Sequence, residues 1–213
     1  MSKPEPTVFI VDDDEVICSG ISQLVETVGF NTKAFSSAQE FLDFYDYNTA
    51  CPGCLVLDVR MPNMSGLVLQ EKLAEYSNCL PIIFITGHGD VPTASEAFKH
   101  GAIDFIEKPF SDQILLDSIN KAIKTSLTSH RHHAEIGEIQ ERMDSLTSRE
   151  RQILDGIING KTNKMIAFDL QISPKTVDFH RCNVMEKMGV NNAVQLTKMV
   201  MRVSGTQSSI RSK

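Results

Sequence analysis

Three short runs of aliphatic and aromatic residues constrain the fold of this chain more than any other feature. They lie at residues 8–11, 55–57 and 82–85 and contain no polar side chain. A strand that is apolar on both faces needs cover on both faces, and a parallel sheet between two layers of helices provides it. Two weaker candidate strands, at residues 32–35 and 103–106, raise the expected number of strands to five.

The segments between these strands carry apolar residues at the spacing of amphipathic helices. They lie near residues 16–28, 37–46, 66–76, 92–99 and 112–125. Alternating strands and helices predict an α/β domain built on a doubly wound, five-stranded parallel sheet. Ligands of such sheets bind at the carboxyl ends of the strands, where the strand order reverses.

From residue 146 onward only helical patterns remain, which predicts a second, smaller all-α domain of four helices. Thr147 and Glu150 have the spacing of a capping box at the start of the first helix. Ser173 followed by Pro174 is typical of a helix N-terminus and opens the third helix.

The predicted organisation is therefore two domains joined by a linker. The α/β domain covers residues 6–126 and the helical domain covers residues 146–203. Residues 127–145 show no strand signal and repeat apolar residues at helical spacing, which favours a helical linker, although a mobile tether fits their Ser, Thr and His content nearly as well. The last residues, 204–213, are small and polar and predict a flexible tail.

The formal net charge of −6 is an average over two domains of opposite sign. Residues 1–126 contain 8 Lys and Arg against 18 Asp and Glu, a net charge of −10. Residues 146–213 contain 11 against 5, a net charge of +6. The total argues against nucleic acid as a partner, but the basic second domain predicts an anionic one.

Carboxylates follow directly after two of the predicted core strands. Asp12 and Asp13 follow the first and Asp58 follows the second, while Thr86 and Lys108 follow the third and the fifth at the same edge of the sheet. Crowded carboxylates repel one another and favour a bound cation, and their oxygens suit Mg²⁺. A carboxylate, a hydroxyl, a lysine and a divalent cation are the components of a phosphoryl-transfer site, in which the carboxylate can be the nucleophile.

Five spaced motifs in this domain resemble the receiver domain of two-component response regulators. They are VDDD at 11–14, LDVRMP at 57–62, SG at 65–66, ITGHG at 85–89 and FIEKPF at 105–110. The resemblance covers about residues 6–126 and implies a flavodoxin-like receiver fold. It implies that a sensor histidine kinase phosphorylates Asp58, that Thr86 and Lys108 contact the phosphoryl oxygens, and that Phe105 changes rotamer together with Thr86.

The same resemblance implies a Mg²⁺ or Mn²⁺ ion at this edge of the sheet. Its ligands would be Asp12, Asp13, Asp58 and the backbone carbonyl oxygen of Arg60. A phosphatase with an aspartate nucleophile would need a second aspartate two residues after Asp58, where this chain has Arg60. We therefore expect a protein that accepts and slowly loses a phosphoryl group rather than a turnover enzyme.

The basic domain has the layout of a helix-turn-helix at residues 163–188. On its second helix, Val177, Val184 and Met188 form an inward stripe, which leaves the other faces of that helix for a major groove. Residues 146–203 resemble the LuxR-type DNA-binding domain. Combined with a receiver, they resemble the NarL/FixJ class of transcription regulators, and the GHGD and VDFHR segments favour the FixJ-type branch.

The residues expected to contact DNA phosphates or the groove come from both helices of this motif. They are Asn163, Lys164, Lys175, Thr176, Asp178, Phe179, Arg181, Cys182 and Lys187. Many members of the family carry lysine where this chain has Asp178. An acid there accepts a hydrogen bond from cytosine N4 or orders an arginine, and both interpretations remain open.

The fourth helix carries more apolar residues than its own core requires, which favours a homodimer on DNA, with packing inside the domain as the alternative. The other expected partners are the sensor kinase, promoter DNA and RNA polymerase. Because no apolar run reaches the roughly 18 residues of a membrane span and residues 1–7 lack a secretory signal, we expect no membrane contact and a cytoplasmic protein.

Phosphorylation is expected to switch either dimerisation or contacts between the two domains. The alternative function is a regulator that binds DNA without phosphorylation and uses its receiver only for dimerisation.

Overall fold

The computed structural model describes residues 5–46, 51–75, 80–87, 89 and 91–210, without the side chains of residues 204–210. It divides into two compact units, Met1–His130 and Arg131–Lys213. Among the described residues, no helix combines the length and the hydrophobicity needed to span a bilayer.

The first unit is built on a five-stranded, all-parallel sheet in the order β2-β1-β3-β4-β5, as predicted. The strands are β1 (Thr7–Val11), β2 (Asn31–Phe35), β3 (Gly53–Asp58), β4 (Ile82–Thr86) and β5 (Asp104–Glu107). The strand order reverses between β1 and β3, because the chain adds β2 on one side of β1 and β3 on the other. The expected ligand-binding edge therefore lies at the carboxyl ends of these two neighbouring strands.

Five helices cover the two faces of this sheet. They are α1 (Glu15–Thr27), α2 (Ala38–Phe44), α3 (Gly66–Ala74), α4 (Val91–Lys99) and α5 (Asp112–Asp144). Alternate strand residues enter different cores: Phe9 and Leu57 pack on one face, Ile10 and Val56 on the other. This two-sided burial is the physical reason why the core strands have continuous apolar sequences.

Residues 127–145, predicted as a helical linker, are helical and continue the last helix of the α/β domain. Helix α5 runs without interruption from Asp112 to Asp144, a stretch that contains no proline. Its second part also packs into the core of the second unit, where Ile139 is buried and Ile136 and Met143 lie against it. This packing is why the boundary between the units falls after His130 rather than at residue 146.

The second unit contains four further helices: α6 (Ser148–Ile158), α7 (Asn163–Asp169), α8 (Pro174–Met188) and α9 (Ala193–Ile210). The capping box of Thr147 and Glu150 is present at α6, and the Ser173 side chain caps α8 with Pro174 in its first turn. Val177, Val184 and Met188 are fully buried, as their spacing on α8 predicts.

In the predicted flexible tail, residues 204–213, the structure describes a helical backbone up to Ile210, and the flexibility of the tail stays a prediction. The remaining residues of the predicted tail, 211–213, lie outside the described part of the chain.

Candidate functional site

The acidic residues predicted at the sheet edge converge on one lysine. Asp12 directly follows β1, Asp58 ends β3, and Lys108 directly follows β5. The Lys108 ammonium donates hydrogen bonds to Asp12 Oδ2 at 2.7 Å and to Asp58 Oδ1 at 2.8 Å. Both carboxylates are almost fully buried, with exposed fractions of 2% and 5%. Three side chains that are far apart in sequence thus form one polar cluster.

Backbone donors fix the other oxygen of each carboxylate. The N–H of Asp14 donates to Asp12 Oδ1 at 2.9 Å, and the N–H of Arg60 donates to Asp58 Oδ2 at 2.6 Å. Each carboxylate therefore has one oxygen on the shared ammonium and one on the loop that follows its strand. Hydrogen bonds on both oxygens hold Asp58 in one orientation before any ligand arrives.

The charges of this cluster influence one another. Burial raises the pKa of Asp58 above its ordinary value, and the hydrogen bond from Lys108 only partly opposes that rise. Burial by itself would lower the pKa of Lys108, but the hydrogen bonds to Asp12 and Asp58 outweigh it, so the pKa of Lys108 is raised. The cluster therefore holds a charged lysine beside an acid that has a reduced tendency to ionise.

Gly66 lets α3 approach the phosphoacceptor candidate closely. A Cβ atom on Gly66 would lie 2.2 Å from the backbone oxygen of Asp58 and 3.0 Å from side-chain atoms of Leu57 and Phe84. Ser65 caps α3 by accepting a hydrogen bond from the N–H of Val68. The sequence motif contains Ser65 and Gly66, but only the tertiary structure shows why position 66 has no side chain.

Thr86 and Phe105 lie on the two strands that complete this edge. Thr86 ends β4 and is 1% exposed, and its carbonyl oxygen accepts a hydrogen bond from the N–H of Lys108 at 2.7 Å. Phe105 on β5 is paired in register with Phe84 on β4, and their ring centroids are 6.2 Å apart. The predicted hydroxyl and the predicted switch aromatic are thus both placed on strands next to the acidic cluster.

The predicted metal ligands differ in their burial. Asp12 and Asp58 offer hard carboxylate oxygens, which suit Mg²⁺, but Asp13 and Arg60 are exposed. In the part of the chain that the structure describes, no group of three His, Cys, Asp or Glu residues is arranged to hold a metal ion. The ammonium of Lys108 is shared by the two buried acids, and the bound ion stays a prediction.

The predicted DNA-contacting residues of the second unit are either exposed or half-buried. The exposed ones, on α7 and α8, are Lys164, Lys175, Asp178, Phe179, Cys182 and Lys187. Asn163, Thr176 and Arg181 are half-buried. Phe179 is 63% exposed, so its ring is accessible on the surface of α8.

The side chain of Asn163 forms hydrogen bonds with two of the other predicted DNA-contacting residues. Its side-chain Nδ2 donates a hydrogen bond to Asp178 Oδ1, and its Oδ1 accepts one from Arg181 Nη1 at 3.0 Å. The sequence leaves open that Asp178 orders an arginine, and the structure shows that Asn163 lies between Asp178 and Arg181. Their distance in sequence, 15 and 18 residues from Asn163, concealed this relation.

Lys187 stands apart from the other predicted DNA residues. Its ammonium lies 2.7 Å from Oε2 of Glu150 on α6, and the Glu150 side chain is only 5% exposed. The structure thus places Lys187 in an ion pair inside the unit, and its contact with DNA phosphate stays a prediction. The hydrogen bond from Lys187, helped by the N–H of Thr147, lowers the pKa of Glu150 to about 2.

We expect replacement of Glu150 by glutamine to destabilise the second unit by about 1–2 kcal/mol near neutral pH, because a charge-assisted hydrogen bond is lost. The depressed pKa means that Glu150 contributes stability above its ordinary value of 4.5, and that this contribution disappears as the pH falls toward 2. Unfolding of the full chain, followed by circular dichroism across this pH range, measures both effects.

Glu186→Gln provides the control, since it makes the same charge change at an exposed position. Equal stability of the two variants near neutral pH would contradict the role of the Glu150 ion pair.

Helix α9 buries Leu196, Val200 and Val203 in the core of its own unit. Val194 and Met201, one heptad apart, remain 65% and 60% exposed. The helix therefore supplies core packing and leaves Val194 and Met201 as an exposed apolar strip, while pairing of two copies stays a prediction.

Comparison with known proteins supports the families predicted for both domains of the chain. A family model described as a response regulator receiver domain matches residues 8–120. A second model, for bacterial regulatory proteins of the luxR family, matches residues 144–200.

Two curated relatives match this chain over most of its length and most of their own. The response regulator protein TmoT of Ectopseudomonas mendocina is 44% identical over 203 residues, which cover 95% of this chain and 91% of TmoT. The transcriptional regulatory protein FixJ of Rhizobium meliloti is 42% identical over 195 residues, covering 92% of this chain and 95% of FixJ.

A solved structure of the response regulator StyR is 41% identical and covers 93% of this chain and 99% of its own, with a TM-score of 0.83. These matches confirm the family that the motifs predicted. The chain belongs to the two-component response regulators that join a receiver domain to a LuxR-family DNA-binding domain and act as transcription regulators.

Proposed function

We propose that Asp58 accepts a phosphoryl group from a sensor histidine kinase and that this modification controls promoter binding by the second domain. The observation that carries the proposal is the buried Asp58 carboxylate at the strand-order reversal, held by Lys108 at 2.8 Å and by the N–H of Arg60 at 2.6 Å. A carboxylate fixed at a ligand-binding edge is suited to nucleophilic attack.

In the proposed reaction, a carboxylate oxygen of Asp58 forms a bond to phosphorus while the bond from phosphorus to the histidine nitrogen of the kinase breaks. Lys108 neutralises negative charge that collects on the phosphoryl oxygens, and the Thr86 hydroxyl donates to one of them. Such charge stabilisation supplies most of the catalysis in phosphoryl transfer. The product is an acyl phosphate on Asp58, which we propose is lost slowly, so the protein is not a turnover enzyme.

A divalent cation, Mg²⁺ or Mn²⁺, fits the donor chemistry of this site. Asp12 and Asp58 are hard oxygen donors that share one ammonium, so the two acids together with Asp13 outnumber the positive charge of Lys108. We propose that Asp12, Asp13, Asp58 and the carbonyl oxygen of Arg60 hold the ion. When bound, it would neutralise the charge of the acids and of the incoming phosphoryl group.

We propose that α8 enters the major groove of promoter DNA. The positive charge of the domain supplies attraction to phosphate, and Lys164 and Lys175 are the exposed cations nearest in sequence to the turn between α7 and α8. Pairing through the apolar strip of α9, with Val194 and Met201, would bring two copies onto one site. Contact with RNA polymerase and a cytoplasmic location follow from promoter binding and are part of the same proposal.

The phosphoacceptor is tested with Mg²⁺, a small acyl phosphate as donor, and intact-mass spectrometry. We expect the wild-type chain to gain one phosphoryl group and Asp58→Asn to gain none. The control is Asp43→Asn, which removes an exposed acid from α2 and should leave phosphorylation unchanged. Phosphorylation of Asp58→Asn, or repeated turnover of a phosphoester, would contradict the proposal.

The regulatory part is tested by the affinity of the full chain for promoter DNA. We expect phosphorylation to strengthen binding in the wild type, with no response to the donor in Asp58→Ala. Wild-type affinity in Asp58→Ala under all conditions would instead support the alternative regulator, whose receiver only dimerises.

A further inference from the structure

The two helices of the helix-turn-helix are joined by a chain of three polar side chains. Asn163 is the first residue of α7, while Asp178 and Arg181 lie one turn apart on α8. Asn163 donates to Asp178 and accepts from Arg181, the latter at 3.0 Å. The carboxylate and the guanidinium thus contact opposite ends of the same amide group.

The chemistry of the outer two residues determines the orientation of the middle one. An ionised carboxylate only accepts hydrogen bonds, and a guanidinium only donates them. The amide of Asn163 satisfies both partners only when its NH₂ group faces Asp178 and its oxygen faces Arg181. Asp178 therefore decides where the acceptor for Arg181 points.

We infer that Asp178 is a positioning residue for Arg181 and does not read a base. Through Asn163, it holds the guanidinium of Arg181 in place before DNA binds. The inference rests on the proposed DNA-binding function. It also explains an acid on a helix that approaches phosphates, where a negative charge by itself opposes binding.

The expected gain in DNA affinity from this restraint on Arg181 is entropic. Arginine has a long side chain with many rotamers, and its immobilisation on binding costs free energy. A hydrogen bond that already restrains Arg181 in the free protein reduces this cost. Loss of the restraint should therefore weaken DNA binding without unfolding the domain, because Asp178 is exposed.

The test compares Asp178→Asn with Asp178→Ala in the full-length chain. Both variants remove the same negative charge, but only asparagine keeps an oxygen that can accept from Asn163. The probe is a fluorescent duplex that the wild-type chain has selected from a randomised library, and the affinity is measured by anisotropy at fixed salt. We expect Asp178→Ala to bind about 2- to 12-fold more weakly than Asp178→Asn.

The same pair is then compared in an Arg181→Ala background, where we expect the two affinities to be equal. Thermal unfolding of each variant checks that the fold is intact. The inference is overturned if the two variants bind equally with Arg181 present, or if their difference persists without Arg181. It is also overturned if Asp178→Asn and Asp178→Ala both change the preference at a single base pair, since Asp178 would then read that base.

Failure of the underlying function has a different signature. If the wild-type chain selects no duplex and shows no salt-dependent retention on DNA, the proposed function and this inference are both wrong. If the wild type binds DNA but Asp178→Asn and Asp178→Ala bind it with equal affinity, only the inference is wrong.

Discussion

Replacement of Lys108 by methionine is expected to lower the free energy of unfolding of the receiver domain by about 3–5 kcal/mol near neutral pH, the usual cost of removing one partner from a buried ion pair. The ammonium lies 2.7 Å from Asp12 and 2.8 Å from Asp58, and it is the cation that the two buried acids share. Without it, two carboxylates with exposed fractions of only 2% and 5% would remain side by side.

The pH dependence of this loss has a defined sign. Burial already raises the pKa of Asp58, and removal of Lys108 removes the hydrogen bond that opposes this rise. The folded variant would then bind protons more tightly than the unfolded chain, so its stability deficit should shrink as the pH falls and the acids become neutral. Urea unfolding at several pH values, without divalent cations, measures the effect.

Two further variants test whether the loss of stability comes from removing the ammonium that Asp12 and Asp58 share. Lys99→Met removes an exposed lysine at the end of α4 and should change stability little. Asp58→Asn combined with Lys108→Met should recover part of the loss, because only one buried carboxylate then remains. A deficit that is independent of pH, or unchanged by Asp58→Asn, would contradict the shared-cation interpretation.

Replacement of Gly66 by alanine is expected to cost about 3 kcal/mol and to slow phosphorylation of Asp58 strongly. The new Cβ atom would lie 2.2 Å from the backbone oxygen of Asp58, so either α3 or the end of β3 has to move. Overpacking of this kind costs up to about 3 kcal/mol. A displaced strand end also carries the nucleophile away from Lys108, and small misplacements reduce rates severely.

Gly20→Ala is the matched control for this prediction. Gly20 lies inside α1, and a Cβ atom there would meet nothing within 4 Å. Alanine should therefore stabilise that helix by about 0.5–1 kcal/mol, through its higher helix propensity. Thermal unfolding and the rate of phosphorylation by the small donor give both readouts. Wild-type behaviour of Gly66→Ala would show that the close approach of α3 is unimportant.

Much of the receiver domain could be predicted because its signals are local. Continuous apolar strands such as residues 55–57 predict burial on two faces, and parallel strands align their carboxyl ends. Asp12, Asp58 and Lys108 follow such strands, so their convergence follows from the predicted sheet alone. The same reasoning could not predict the exposed state of Asp13, which depends on the loop after β1 rather than on the strand.

The second unit shows where local patterns stop being informative. Lys187 looks like a free cation in the sequence, yet it lies 2.7 Å from Glu150, a residue 37 positions away. The apolar stripe of residues 127–145 correctly indicates a helix, but only packing shows that Ile139 belongs to the core of the second unit. Neither contact has a signature within a short window of sequence.

The order of residues alone therefore specified the elements of this protein, the edge at which its acids meet and the family to which it belongs. These properties depend on periodicity, turn chemistry and strand ends, all of which act over a few residues. The three-dimensional packing decided which charges were already paired, why position 66 must be glycine and how Asp178 reaches Arg181. Those outcomes depend on side chains from different elements competing for the same partners, and that competition exists only after the chain has folded.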